Sequence, residues 1–275
     1  MKVAVVFLTK TPQDYTIEFA KETSKEFDTF IVVDDENFES NDDMFICIKD
    51  SVCESQNYAG CNINETSTHI PKKIIAWDKF VYHFCEIRKE YDFVWVFEDD
   101  VFIHSVDLIR KINRLNNYDL VTANNFKKND SIPDWHWKSI FERIKPPYYN
   151  SMVCAMGLSR NTLKSIKNYV LEHKSLFHIE ALFNTIAMQN KLSVVTPMEF
   201  ITIVWKGNWD ILDYLYMPSN FFHPVKQNHY EIRKSMNKLI NSDDLNYAKR
   251  LPNFIRERMA NGEIVYNNQS IQQKI

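Results

Sequence analysis

Glycine is nearly missing from this 275-residue chain. It has four, Gly60, Gly157, Gly207 and Gly262, each far from the next. The dinucleotide-binding fingerprint, the phosphate-cradling P-loop and the kinase glycine loop need clustered glycines, so all three are excluded. A nucleotide diphosphate bound here has to be neutralised by other means. Cysteine is scarce as well. Cys47, Cys53, Cys61, Cys85 and Cys154 are odd in number and form no CxxC, which argues against a cysteine-rich zinc site or a full disulfide set and for reduced thiols. An excess of positive charge is also absent. Thirty-three Lys and Arg against 36 Asp and Glu leave −3, and general nucleic-acid binding wants a basic footprint. The amino-terminal apolar run, Val3 to Leu8, is too short for a signal peptide or a membrane span. The expectation is a cytoplasmic protein without a transmembrane segment. Three N-x-S/T sequons, at Asn64, Asn129 and Asn268, are then read as chance matches.

What is present is a regular alternation. Hydrophobic residues make up 45% and charged residues 25%, enough for one large α/β domain. Val3–Leu8 reads as a buried strand and 13–27 as a helix. Strands follow at 30–33 and 44–48, a helix from Pro71, and a strand at 93–97. The second half reads as a helix over 105–115, a strand at 120–123, an irregular aromatic stretch over 124–150 and a strand at 152–158. A helix capped by Ser159, a helix over 178–190 and strands at 193–196 and 200–205 complete it. The tail beyond Lys226 reads as helical, broken at Pro252. Short strands alternating with helices imply a mostly parallel sheet flanked by helices. The ligand crevice of such a sheet lies beyond the carboxyl ends of its strands. Three strands end in polar residues: Thr9-Lys10-Thr11, Asp34-Asp35-Glu36 and Glu98-Asp99-Asp100.

The sharpest signal is the last of these. Glu98-Asp99-Asp100 interrupts an apolar run that continues on both sides. Unpaired buried charge is costly, so the three carboxylates must emerge at the sheet edge or meet a cation. Oxygen ligands at a strand end suit Mg²⁺ or Mn²⁺. Such an ion can neutralise a diphosphate where no glycine loop exists.

This run resembles the acidic "DxD" signature of nucleotide-sugar-dependent glycosyltransferases with the GT-A fold, here in the form Glu-Asp-Asp. With Trp77-Asp78-Lys79, the pattern is also similar to small glycosyltransferases of large DNA viruses. The resemblance spans roughly residues 1 to 226 in order of elements. It implies a single GT-A-like domain over 1–275, with a nucleotide-sugar half (1–103), an acceptor half (104–226) and a helical tail (227–275). It implies Asp100 as metal ligand and Glu98 and Asp99 at the ribose or the metal's water shell. Asp34 and Asp35 would hold the donor's base or ribose. In the segment Phe221-Phe222-His223-Pro224-Val225-Lys226, His223 would be a further ligand or diphosphate contact and Lys226 would reach the phosphates. A histidine ligand favours Mn²⁺ over Mg²⁺.

Other residues carry two readings each. Lys79 suits a phosphate and Asp78 a donor hydroxyl, or both are a solvated pair beside a core Trp77. Lys10, between Thr9 and Thr11, is a phosphate-reaching lysine or an ordinary loop lysine. Glu180, in the first turn of its helix, is the choice for the base that activates an acceptor hydroxyl, with Asp134 and Asp210 as alternatives. A helix-start glutamate favoured by the dipole is the competing account. Trp135, Trp137 and Trp209 are candidate sugar-stacking residues, with Trp205 beside them. Core packing would use the same residues. The expected reaction moves a sugar from a nucleoside diphosphate to a hydroxyl of a glycan or glycoconjugate, with inversion. The alternatives are a sugar nucleotidyltransferase and a catalytically silent carbohydrate-binding protein. The sequence does not specify an oligomeric state.

Overall fold

The structure is a computed structural model that describes residues 1–62, 74–128, 137–240, 264–267 and 270–273. In chain order β1 (Val3–Thr9), α1 (Asp14–Thr23), β2 (Asp28–Val33), β3 (Phe45–Cys47) and α2 (Asp50–Ser55) come first. Then come α3 (Ala76–Tyr82), which runs into a π-helical turn over His83–Ile87, β4 (Phe93–Glu98), α4 (Val106–Ile112) and β5 (Leu120–Val121). The second half holds β6 (Phe126–Lys127), α5 (Lys138–Phe141), β7 (Tyr149–Asn150), β8 (Ala155–Ser159), α6 (Arg160–His173), α7 (Ile179–Gln189) and β9 (Val194–Val195). It closes with α8 (Ile211–Tyr216), α9 (His229–Ile240), β10 (Ile264–Asn267) and β11 (Ser270–Gln273).

Seven strands form one sheet in the order β3-β2-β1-β4-β8-β5-β9. β3, β2, β1 and β4 run parallel. β8 is antiparallel to both β4 and β5, and β9 is again parallel to β5. The sheet is therefore mostly parallel and flanked by helices, as the alternation implies. β1 and β4 are apolar up to their last residues, Thr9 and Glu98, because both faces are covered. Their side chains alternate between two cores. Ala4, Val6, Leu8, Val94 and Val96 face α3, α6 and α7. Val5, Phe7, Phe93, Trp95 and Phe97 face α1 and α4. Opposite Trp95 on β8 stands Gly157. A β-carbon there would lie 2.7 Å from both Phe93 and Trp95, so two large rings pack where a side chain would have pointed.

Helix ends follow the local chemistry. Ser159 caps α6, its hydroxyl accepting from the Asn161 and Thr162 amides. Two segments differ from the sequence pattern. Residues 200–205, apolar enough to read as a strand, form the end of a 3₁₀ turn and a bend, with Ile203 alone bridging to His223. Phe200 and Ile203 fill the second core instead, with Phe200 packed edge-on to Phe221 at 5.1 Å. Among the described residues of the tail, α9 is helical as expected, whereas β10 and β11 pair as a hairpin. Ile264-Val265-Tyr266 is β-branched and aromatic, which suits a strand better than a helix. Pro71, Pro252 and the three sequons lie outside the described residues.

Candidate functional site

The parallel strands all end at one edge, and their ends bring the acidic triplet to it. β4 stops at Glu98 and the chain turns, with the Val101 amide donating to the Glu98 carbonyl at 3.0 Å. The turn sends the three carboxylates to three different partners. Glu98 Oε1 accepts from the Trp77 indole at 2.6 Å, and Asp99 Oδ2 from the Thr9 hydroxyl at 2.5 Å. Asp100 pairs with Lys226 Nζ, and His223 Nε2 lies 3.3 Å from its Oδ1. That Oδ1 is buried and makes no well-aligned hydrogen bond among the described residues. The far segment is pinned here by backbone contacts. Phe222 pairs with Phe102, and the Val225 amide donates to the Asp100 carbonyl at 2.8 Å.

These partners set the charges. Burial alone would raise Asp100, but the contacts with His223 and Lys226 override it and hold the carboxyl down at about 2. Burial alone would lower His223, and Asp100 lifts it instead. Burial pushes Glu98 and Asp99 up, with Trp77 and Thr9 opposing. The His223 ring is oriented from behind, its Nδ1 lying 2.8 Å from the Val204 carbonyl. Nδ1 thus donates, and Nε2 faces the triplet.

A cleft of about 290 Å³ opens over these groups. Its walls are Leu8, Thr9, Lys10, Asp34, Ile75, Ala76, Trp77, Glu98, Asp99, Asp100 and Lys226. The structure therefore gathers Thr9, Lys10, Asp34, the triplet and Lys226 at one cleft, with His223 behind Asp100. Thr11 contributes a carbonyl 3.0 Å from the Thr9 hydroxyl and is not a wall. Asp35 lines a separate cleft with Glu36, Phe38 and Lys49. Asp78 and Lys79 are fully buried. Asp78 closes the amino end of α3, accepting from the Ile75 amide at 2.9 Å and the Cys61 amide at 3.0 Å. Lys79 donates to the Asp34 carbonyl at 2.8 Å and pairs with Asp50 at 3.0 Å. They build the cleft's floor from behind.

A second cleft, of about 370 Å³, is lined by Asn124, Phe126, Asn150, Ser151, Met152, Glu180 and Trp205. Topology explains its place. β5 runs parallel to β4, so Asn124 follows its carboxyl end, whereas the antiparallel β8 begins at that edge, just after Ser151 and Met152. The Ser151 amide donates to the Glu180 carbonyl at 2.8 Å and ties the start of α7 to the same edge. The Glu180 carboxylate has His178 Nε2 at 3.9 Å and no hydrogen-bond partner among the described residues. Burial, and then the charge of Glu98, push it up to about 7. Trp205 and Phe126 expose 67% and 61% of their surfaces beside it, unusual for rings of that size.

The other tryptophans go elsewhere. Trp137 is core, tilted against Tyr148 at 6.1 Å. Trp209 is buried against Phe222 at 5.2 Å and lies over Gly207, where a β-carbon would collide with its Nε1. Asp210 caps α8, accepting from the Leu212 amide at 2.8 Å. Trp135 and Asp134 lie outside the described residues. Cys154 joins the site without a signal in the sequence: its carbonyl accepts from the Glu98 amide at 2.8 Å and its thiol faces Glu98 and His223. A single cysteine ahead of a strand gives no such signal. The Asn124–Ser151 wall gives no signal either, since the antiparallel pairing of β8 brings it to the edge.

Among the described residues no helix is long and apolar enough to cross a membrane. Comparison with protein-family models finds no match to this chain, and comparison with curated proteins finds none either.

Proposed function

We propose that the protein is a metal-dependent glycosyltransferase of GT-A type, moving a sugar from a nucleoside diphosphate to a hydroxyl of a glycan or glycoconjugate. One observation carries this reading: Asp100, His223 and Lys226 meet at the carboxyl edge of a mostly parallel sheet, next to a second cleft holding an untied Glu180. The donor set fits a divalent ion. Asp100 Oδ1 is buried without an aligned donor, and the His223 tautomer leaves Nε2 toward it. Asp100 and His223 would hold the ion, Mn²⁺ rather than Mg²⁺, and its charge would offset that of the diphosphate.

The chain's own residues do the rest. Lys226 reaches from the solvent side of Asp100 to the departing diphosphate, and Lys10 lines the same cleft. Thr9 and Trp77 keep Asp99 and Glu98 oriented toward the ribose and the ion's water shell. Glu180 removes the proton from the acceptor hydroxyl as that oxygen bonds to the sugar carbon and the carbon–phosphate-oxygen bond breaks. A carboxyl near 7 is well matched to that task at neutral pH. Trp205 and Phe126 offer flat apolar faces on which an acceptor sugar stacks. Attack from the Glu180 side, opposite the diphosphate, gives inversion. The test is a screen of nucleotide sugars for Mn²⁺-dependent release of nucleoside diphosphate, with and without sugar acceptors. Turnover of one donor is the expected result. Sugar binding with no donor turnover would replace this reading by that of a silent carbohydrate-binding protein.

A further inference from the structure

We propose that the mouth of the sheet has a second way of holding a cation: a soft ion of the zinc type, bound by Glu98, Cys154 and His223. One ligand atom from each residue lies within 4.8 Å of the other two. In a tetrahedral zinc site, bonds of about 2.0–2.3 Å put ligand atoms roughly 3.5 Å apart, so closure asks for movement on the order of 1 Å. The topology makes this juxtaposition. β8 is antiparallel to β4, so its first residues, not its last, meet the end of β4, and Cys154 stands beside Glu98. His223 arrives on the other side because the Phe102–Phe222 and Ile203–His223 bridges fix its backbone.

The surroundings are those of a built ligand set. The Trp77 indole holds one oxygen of Glu98, and the Val204 carbonyl holds Nδ1 of His223. Partners of this kind orient metal ligands from behind. The mixed oxygen, sulfur and nitrogen donors select the ion. A thiolate favours Zn²⁺, Cd²⁺ or Co²⁺ and is a poor ligand for Mg²⁺ or Mn²⁺, which prefer the carboxylate of Asp100. As the sulfur–metal bond forms, the thiol proton leaves to solvent. A single-thiol site of this sort is compatible with a chain whose cysteines are few and unpaired. His223 has one Nε2, so the soft ion and an ion at Asp100 exclude each other. This last clause alone rests on the proposed function; the three-ligand site stands without it.

The probe is Co²⁺, titrated into the reduced full chain under exclusion of oxygen. A sulfur-to-cobalt charge-transfer band in the near ultraviolet is expected, erased by Zn²⁺. It should vanish in Cys154→Ser and persist in Cys47→Ser, which removes the exposed thiol. Absence of the band in the native chain, or its survival in Cys154→Ser, overturns the site. If Cys154→Ser does not fold by circular dichroism, Glu98→Gln decides, with Co²⁺ affinity weakened on the order of tenfold or more; unchanged affinity overturns the site. Zn²⁺ should also release bound Mn²⁺, read by electron paramagnetic resonance, and simultaneous binding of both ions would remove the shared His223. The two failures are separable. A chain that turns over no donor still shows the band if the site exists, and a chain without the band still turns over donor if the proposed function holds.

Discussion

Asp100 and Glu180 are buried alike, with 13% and 16% of their side chains exposed, yet one is held at about 2 and the other pushed up to about 7. Burial therefore does not separate them; partners do. Asp100 faces a lysine and a histidine, whereas Glu180 faces a histidine only at 3.9 Å and feels the negative charge of Glu98. The same chemical group becomes a fixed anion in one cleft and a proton acceptor in the next. Acid–base roles in this molecule are thus assigned by neighbours a few ångströms away.

The largest effect should come from replacing the untied member. Glu180→Gln is expected to slow sugar transfer about 10²- to 10⁴-fold, measured with saturating donor, and to leave nucleotide binding intact. The native rate should rise about tenfold per pH unit below 7 and level off above it, because the base acts only when deprotonated. His178, Glu98, His223 and Cys154 are the titratable groups facing it, so the profile is read at saturating Mn²⁺, which keeps His223 deprotonated, and the limb is expected to be lost in Glu180→Gln. A fully active Glu180→Gln would erase the contrast between the clefts.

Glu180 binds its proton more tightly folded than unfolded, so the native state loses stability as pH rises from about 4.5 to about 7. Glu180→Gln should therefore melt higher than the native chain at pH 8, by up to ~3 kcal/mol, with the gain gone below about pH 4.5. Thermal melts at the two pH values check it. A smaller effect is expected from untying a carboxylate at the first cleft. Trp77→Phe removes the indole donor from Glu98 and should cost ~2 kcal/mol at neutral pH, with Glu98 driven further up, toward the behaviour of Glu180.

Much of the first cleft was legible in the sequence, and little of the second. β1 and β4 are continuous apolar runs because both faces are covered, and charges breaking such a run have one place to go. The order of the strand ends then brings Thr9, Asp34 and the triplet together. Lys79 and Asp78 were less legible, since a lysine that ties two strand ends from inside looks, in sequence, like one that meets solvent. The 200–205 segment read as a strand because hydrophobicity alone does not distinguish a strand from a loop that fills a core. The wall of Asn124 and Ser151, and the place of Cys154 beside Glu98, depend on the reversed direction of β8, and direction leaves no mark in a five-residue strand.

The most direct measurement is Mn²⁺ binding in the presence of nucleoside diphosphate, by electron paramagnetic resonance, for the native chain, Asp100→Asn and Glu180→Gln. Asp100→Asn is expected to weaken it on the order of a hundredfold, while Glu180→Gln binds as the native chain does. Undiminished Mn²⁺ and nucleotide binding by Asp100→Asn would mean that Asp100 does not hold the ion.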